Sequence, residues 1–583
     1  MPLSGITAAE AAAKRTAVYA GLDPLSPSVT AGKATVADDG KSATVPLELT
    51  WDVDDADQDW TYTTTAHLVL VEEQWQVQWS SFLLGPDLRE AETLGFERVA
   101  APRAGVLGAG GVPIVEPRPV QRLGLDKTHV DAAAQDAAAR DIASALGIDP
   151  EAFATSVAAA GPKAFVEGLV VRTENPPLDV AAFTALPGAT AVADTLPLAP
   201  TRQFARAVLG TAGPATAEII EASQGAIRAG DTTGLSGLQR QYDEQLRGMP
   251  GLSVVATASD TQERRVLFHT EPTAGTPLAT TLDPAWQQAA EAVLAPVVPA
   301  AGIVVIRPST GEVLAAASGP GSEGYSTSTL GTYAPGSVFK VVGSLALLRA
   351  GLTPDSTVAC PPTITVEGRV FNNFPDYPTA RTGDIPLRTA VASSCNTAFI
   401  GQRDVVDQAA LADAAAALGL GGTPDLGFPA FMGDVPTSAD GTDHAASMIG
   451  QGRLQVSPLA MATVAASVAA GHPVVPWLVG SEPPAATAPA HPVTSAEAAS
   501  LQALMRGVVT DGGAAFLADV PGGDVLAKTG TAQYSQGGEL RNHAWMIAIQ
   551  GDVAVAVLVA DGDYGSTTAG PLLEQLLTAM AAA

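Results

Sequence analysis

The chain has 583 residues, of which 60 are acidic and 31 basic, for a formal charge of −29. That length exceeds what one core organises, so roughly two to four domains are expected. The acidic balance leaves no basic face for phosphate contact and excludes nucleic-acid binding, while a 46% apolar share excludes a disordered chain.

Residues 1–95 open on MPLSGITAAEAAAKR, which has neither the basic start nor the apolar core of a signal peptide. Any membrane anchor would therefore lie outside this numbering. A small amphipathic helix is predicted around Ala8–Ala20. Alternating apolar runs follow at Val45, Leu47, Leu49 and Trp51, at Ala66, Leu68 and Leu70, and at Trp75, Val77 and Trp79. Period-two apolarity in several short runs predicts antiparallel strands with one buried face, hence a small α+β domain. Trp75 and Trp79 read as core or strand-face residues. Between two of these strands lie Asp52, Asp54, Asp55, Asp57 and Asp59. The turn glycine and closing glutamate of a calcium loop are missing, so a solvated acidic hairpin is expected.

From 96 to 270 the chain becomes Pro- and Gly-punctuated, with Ala-rich helices between. Val112–Pro119 reads as extended, Val130–Leu146 as helix, and Gly161–Glu167 as the start of another helix. Nothing here has catalytic spacing, and no paired-glutamate pattern suits glycosyl transfer. The stretch reads as scaffold.

A third domain, 271–583, begins with a helix after Leu282-Asp283-Pro284. GIVVIRPSTGEVLAAA over Gly302–Ala317 then gives two strands joined at Ser309–Gly311. Asp524–Ala532, Ala544–Gln550 and Val553–Ala560 supply three more strands, and the long middle is mostly helical. One antiparallel sheet flanked by an all-helical lobe is expected. Leu459–Gly480, the one long uncharged run, is interrupted by Gly471, Pro473 and Pro476 and reads as a core helix plus a loop. Ser481–Pro492 reads as a surface loop, and the Asp561-Gly562-Asp563 turn as a strand cap.

The chemistry concentrates in three stretches of this domain. In GTYAPGSVFKVV, Ser337 stands three residues before Lys340 at a helix start, so both lie on one face. A serine hydroxyl needs a base, and a lysine made neutral by burial or a second cation can be that base. In VASSCNTAFI, Ser394 could shuttle a proton between Lys340 and a leaving amine, while Asn396 could hold Lys340 or a substrate amide. On the predicted strand DVLAKTGTA, Lys528 and Thr529 would attract a substrate carboxylate, and Lys528 would also depress Lys340. Gly530 would admit a ligand backbone beside the strand, and the N–H of Thr531 with that of Ser337 would form an oxyanion hole.

Ser-x-x-Lys, Ser-x-Asn and Lys-Thr-Gly in this order are motifs of penicillin-binding proteins and related β-lactamases. With the flanks TLDPAWQQAA, STGEVLAAAS, GQGRLQVSPLAMA and LAKTGTAQ, the chain resembles a monofunctional (class B) penicillin-binding protein. ARAVLGTAG and GLSGLQRQYDEQLRGMPG resemble the pedestal, or dimerisation, domain of that family. The first 95 residues resemble the cone domain of its methicillin-resistance members and of actinobacterial penicillin-binding lipoproteins. Two departures bear on the pedestal: Arg103-Ala104-Gly105-Val106 is a loose version of its opening run, and Gln239 stands where glutamate is usual.

The resemblance implies a multidomain α+β architecture, with a catalytic domain of serine β-lactamase/D,D-peptidase type after a curved-sheet cone domain and an elongated pedestal. It implies D,D-transpeptidation through an acyl-enzyme on Ser337, with acylation by β-lactams and no metal or organic cofactor. The implied partners are peptidoglycan stem peptides ending in D-Ala-D-Ala, β-lactams and a cell-wall synthesis or division complex. The implied location is the extracytoplasmic face of the plasma membrane, with lipoprotein attachment one route. A D,D-carboxypeptidase or β-lactamase-like hydrolase, and a non-catalytic β-lactam sensor or division scaffold, stay open as alternatives. The seven histidines show no metal spacing and read as structural. For Cys360 and Cys395 the expectation leans to two unpaired packing residues, with one bridge left open in an oxidising compartment.

Overall fold

The computed structural model describes residues 1–53, 59–85, 88–485 and 487–582. Asp54, Asp55 and Asp57 of the acidic hairpin lie outside the described residues. The chain forms two compact units that alternate along the sequence. One comprises 1–104, 223–232 and 244–276, and the other 105–222, 233–243 and 277–583.

In the first unit, helix α1 (Ala8–Tyr19) starts at Thr7, whose side chain and Glu10 cap each other reciprocally. Strands β1 (Leu3–Ser4), β2 (Ser28–Ala31), β3 (Ser42–Trp51), β4 (Trp60–Val71) and β5 (Gln74–Gln78) form a sheet in the order β1-β5-β4-β3-β2. On β4 burial alternates strictly from Trp60 to Leu68, as the period-two pattern requires. A second sheet joins β6 (Glu92–Val99), β7 (Gly251–Ala258) and β8 (Arg264–His269), with β7 central. Leu49, Trp51, Trp60 and Leu94 share one core with Val254 and Ala256 of β7. The Trp51 indole N–H donates to the Tyr62 hydroxyl at 3.1 Å, which donates to the Leu84 carbonyl at 2.7 Å, so these buried polar atoms are satisfied.

In the second unit, the strand Pro113–Asp126 is flanked by Phe165–Arg172 and Ala189–Leu198. The helix expected from Gly161 is thus a turn and then a strand. The β-rich run FVEGLVVR pairs along its length with Pro113–Asp126, and tertiary pairing outweighs the short Ala/Lys prelude. The expected helix before Leu146 is α-helical over Gln135–Leu146.

The remainder of the unit is built on a five-stranded antiparallel sheet. Helix α2 (Pro284–Leu294) precedes β9 (Ala301–Ile306) and β10 (Val313–Ser318), and β11 (Val525–Gln536), β12 (Glu539–Gln550) and β13 (Val553–Gly562) come from the far end of the chain. The order is β10-β9-β13-β12-β11, which leaves β11 at an edge. Every residue of β9 is buried, because helices cover both faces. The helices between include α3 (Lys340–Arg349), α4 (Pro458–Ala470) and α5 (Ser495–Thr510), and α6 (Ala569–Ala581) follows β13. The first eight residues of α3 are all buried, Lys340 among them. Among the described residues no helix is long and apolar enough to cross a membrane.

Candidate active site

Ser337 lies in a 3-10 turn, Gly336–Phe339, that runs directly into α3 at Lys340. The tighter winding eclipses positions i and i+3, which keeps the two residues on one face. Backbone contacts hold this turn in place. The Gly336 N–H donates to the Gly450 carbonyl at 2.7 Å, and the Trp545 indole N–H donates to the Ala334 carbonyl at 2.9 Å. Gly336 takes φ +54°, and a Cβ there would stand 2.4 Å from the Thr531 carbonyl oxygen. A Cβ on Gly530 would meet the Val338 nitrogen at 2.9 Å and its Cγ1 at 2.8 Å. The two glycines therefore let the serine turn seat against β11. The room at Gly530 that the sequence suggested for a ligand is already used on this side by the protein's own backbone.

The Lys340 side chain is fully buried. Its Nζ donates to the Ser394 carbonyl at 2.8 Å and to Asn396 Oδ1 at 2.8 Å, and lies 3.3 Å from Ser394 Oγ. Lys528, also fully buried, sends its Nζ to the same Ser394 hydroxyl at 3.0 Å and to its neighbour's carbonyl, Thr529 O, at 2.9 Å. Ser394 Oγ thus bridges two amines. Burial drives the Lys528 amine down to about 7. Burial, and secondarily the charge of Lys528, hold Lys340 well below the ordinary lysine range. A neutral Lys340 has two N–H bonds, which its two carbonyl-type acceptors satisfy, and one lone pair left to take a proton.

The loop carrying Ser394 and Asn396 is held independently. Ser394 takes φ +57°, in the left-handed region that side chains rarely enter. Asn373, which the sequence reading passed over, accepts from the Asn396 N–H at 2.7 Å and the Thr397 N–H at 3.2 Å through Oδ1. Asn396 Nδ2 donates to the Asn372 carbonyl at 3.1 Å, which leaves its Oδ1 facing Lys340. Nothing in the spacing of Asn372-Asn373 marks it, since the contact is made across 23 residues.

Cys395, between Ser394 and Asn396, is bonded to Cys360. This overturns the lean towards unpaired thiols. Cys360 ends the strand Thr357–Cys360 and Cys395 caps the helix Asn396–Ile400, so folding brings both to one buried place. Thr529 and Thr531 stand half-buried on the edge strand, and Thr531 Oγ1 accepts from the Gly565 N–H at 3.2 Å. Among the described residues no group of histidines, cysteines and carboxylates is arranged to hold a metal.

A half-buried serine one turn before a buried lysine, next to an edge strand bearing Lys-Thr-Gly, is the motif arrangement of the penicillin-recognising serine enzymes. Residues 301–578 match the penicillin binding protein transpeptidase domain, 98–280 the penicillin-binding protein dimerisation domain, and 4–92 the NTF2-like N-terminal transpeptidase domain. The chain belongs to the class B penicillin-binding proteins that carry this N-terminal cone domain. It is 36% identical over 270 residues to the peptidoglycan D,D-transpeptidase PbpA of Mycobacterium tuberculosis (strain H37Rv), covering 41% of this chain and 52% of the relative. PbpA of Mycolicibacterium smegmatis is 33% identical over 266 residues, with the same coverage. The peptidoglycan D,D-transpeptidase MrdA of Acinetobacter baumannii is 26% identical over 189 residues, 28% of each chain. The chain spans about half the length of the PbpA relatives it matches.

Proposed function

We propose that the protein is a peptidoglycan D,D-transpeptidase acting through an acyl-enzyme on Ser337, organised as a cone domain over 1–95, a pedestal over 96–270 and a catalytic domain over 271–583. The observation that carries this reading is Lys340, fully buried one turn from Ser337, its amine held well below the ordinary lysine range by burial and secondarily by the charge of Lys528. In the proposed step Ser337 Oγ attacks the carbonyl of the penultimate D-Ala of a stem peptide. Its proton passes to the Lys340 lone pair. The backbone N–H groups of Ser337 and Thr531 receive the oxyanion, and Lys528 and Thr529 receive the terminal carboxylate.

As the C–N bond breaks, the proton moves from Lys340 through Ser394 Oγ to the departing D-Ala amine. Asn396 keeps Lys340 aimed. A second stem's amine then attacks the ester, loses its proton along the same route, and releases Ser337 with the cross-link made. No cofactor enters this sequence. An edge strand beside the nucleophile supports binding of an extended peptide as an added strand.

The same acylation would occur with a β-lactam, whose ring nitrogen stays attached and whose ester persists. Substrate and chemistry argue for work at the outer face of the plasma membrane, in a cell-wall synthesis or division complex. Incubation with a fluorescent penicillin, followed by intact mass, tests the reading. A lasting adduct that is absent from Ser337→Ala is expected. Rapid turnover without an adduct would move the assignment to a hydrolase, and an adduct without stem-peptide cross-linking to a sensor.

A further inference from the structure

β10 closes the five-stranded sheet at the end opposite β11, and such an edge leaves alternate N–H and C=O groups without a strand partner. Here α2 and the residue that caps it take those groups. The Asp283 N–H donates to the Leu314 carbonyl at 2.9 Å, and the Ala316 N–H donates to Gln287 Oε1 at 2.8 Å. Gln287 is fully buried, so its amide N–H groups also need an acceptor. Its Nε2 donates to Glu291 Oε1 at 2.7 Å, one turn further along α2. The same Glu291 oxygen accepts from the Ala205 N–H at 2.5 Å, across 86 residues of chain.

Ala205 lies in an arm, Gln203–Gly210, of the stretch that matches the dimerisation domain. It takes φ +44°, in the left-handed region that a residue with a Cβ rarely enters. Phe204, Val208 and Leu209 beside it are buried, and the short helix Arg206–Leu209 packs against β10. Apolar contact and one polar relay therefore fasten the arm to the sheet edge. The relay runs from Ala205 through Glu291 and Gln287 to Ala316, with Glu291, partly buried, as its only ionisable member.

We infer that the Gln203–Gly210 arm is a proton-operated clasp on this sheet edge, closed while the Glu291 carboxyl is neutral and loosened as it ionises. The relay survives protonation, because Gln287 and Ala205 use Oε1 only as an acceptor and the proton can sit on Oε2. Ionisation in the closed clasp places a charge where little compensates it. Of the elements packed against α2, β9 and β10 carry no titratable residue and α6 carries Glu574, while Asp283 caps α2 itself. Arg202 and Arg206 flank Ala205 in sequence, and none of these four charges contributes to the Glu291 shift. Burial raises the carboxyl above its ordinary value, and the bonds from Gln287 and Ala205 oppose it only in part. A carboxyl that holds its proton more tightly when clasped than when open stabilises the clasp in acid. That stabilisation is lost as pH rises from the ordinary carboxyl range through the raised value. The clasp works whatever chemistry Ser337 performs.

The test is hydrogen exchange by mass spectrometry on the full chain, from about pH 5 to about pH 8, with labelling times scaled to the intrinsic exchange rate. The comparison is Glu291→Gln, which keeps an acceptor for both N–H groups and cannot ionise. In the wild type, opening of the 203–210 amides should rise with pH by up to about tenfold per unit, then level off once the clasped carboxyl ionises. In Glu291→Gln it should stay flat at the wild type's acid level. Glu291→Leu leaves two N–H groups without their acceptor, so its arm should be at least about tenfold more open than that of Glu291→Gln at every pH. The melting temperature of Glu291→Gln should exceed that of the wild type by a margin that widens with pH. A flat wild-type profile, or the same pH dependence in Glu291→Gln, would overturn the inference. So would a Glu291→Gln arm more open than the wild type throughout, or a Glu291→Leu arm as closed as that of Glu291→Gln.

Discussion

The Cys360–Cys395 bond ties the loop that presents Ser394 and Asn396 to a strand 35 residues away in sequence. Closing a loop of that length removes roughly 13 cal/mol/K from the unfolded ensemble, or about 4 kcal/mol at room temperature. For a unit of a few hundred residues this corresponds to a fall in Tm on the order of 6 °C when the bond is removed. A second effect is local. Lys340 donates both of its 2.8 Å hydrogen bonds to residues flanking Cys395. If the untethered loop withdraws one of them, the cost is about 1.4 kcal/mol, a tenfold slower acylation.

Cys360→Ala removes the tether and leaves Ser394, Cys395 and Asn396 chemically intact. Reduction of the wild type reaches the same state without a substitution. The second-order rate of labelling by a fluorescent penicillin and the melting temperature should fall together in both, while reductant should change nothing further in Cys360→Ala. A reduced wild type that labels at the oxidised rate would refute the argument that the bond positions the loop. An unchanged melting temperature would refute its contribution to stability.

Four further outcomes follow from the site. Lys528→Gln removes the secondary cause of the depressed Lys340 amine, leaving burial alone, so the Lys340 pKa should rise. Because the proposed step uses the neutral amine as base, the acid limb of the pH–acylation profile should move to higher pH, and no movement would count against Lys528 as a tuning charge. In the wild type, loss of charge on Lys528 near pH 7 should produce an alkaline decline for ligands bearing a carboxylate and spare ligands that lack one. Asn373→Ala should slow acylation about tenfold without touching the ligand, and Asn373→Asp, which keeps the acceptor, should recover most of it. Gly530→Ala places a Cβ within 2.9 Å of the Val338 nitrogen. It should cost about 1–3 kcal/mol by thermal unfolding and lower the acylation rate, because the serine turn must shift.

What the sequence made legible is what short-range geometry controls. Ser337 and Lys340 are three apart, and either an α-turn or a 3-10 turn keeps them together, so the exact winding did not matter. β11, β12 and β13 are continuous apolar or alternating runs whose period is visible in the chain. The N-terminal strands behaved likewise, since the alternation along β4 is written in its own residues. The misread elements depend on distant partners. Phe165–Arg172 is a strand because Pro113–Asp126 lies beside it, and the Ala- and Lys-containing prelude that suggested a helix carries no trace of that neighbour.

The same division runs through the site. Asn373 matters because its carboxamide reaches two backbone N–H groups of the Asn396 turn, a relation without any spacing rule. Two cysteines in a long chain satisfy many arrangements, and only the fold brings one strand end to one helix cap. Gly530 shows the subtler case. Its residue type was readable as a place of close approach, but the approaching group, the Val338 and Pro335 backbone, belongs to the turn bearing Ser337. The Lys-Thr-Gly strand therefore does two jobs with one residue. It seats the turn bearing Ser337, the proposed nucleophile, on one side, and its outer edge is where the proposed substrate strand would add. A substitution at Gly530 then alters Ser337 before it alters substrate binding, and the order of those two losses, acylation rate before ligand affinity, is what the seating argument requires.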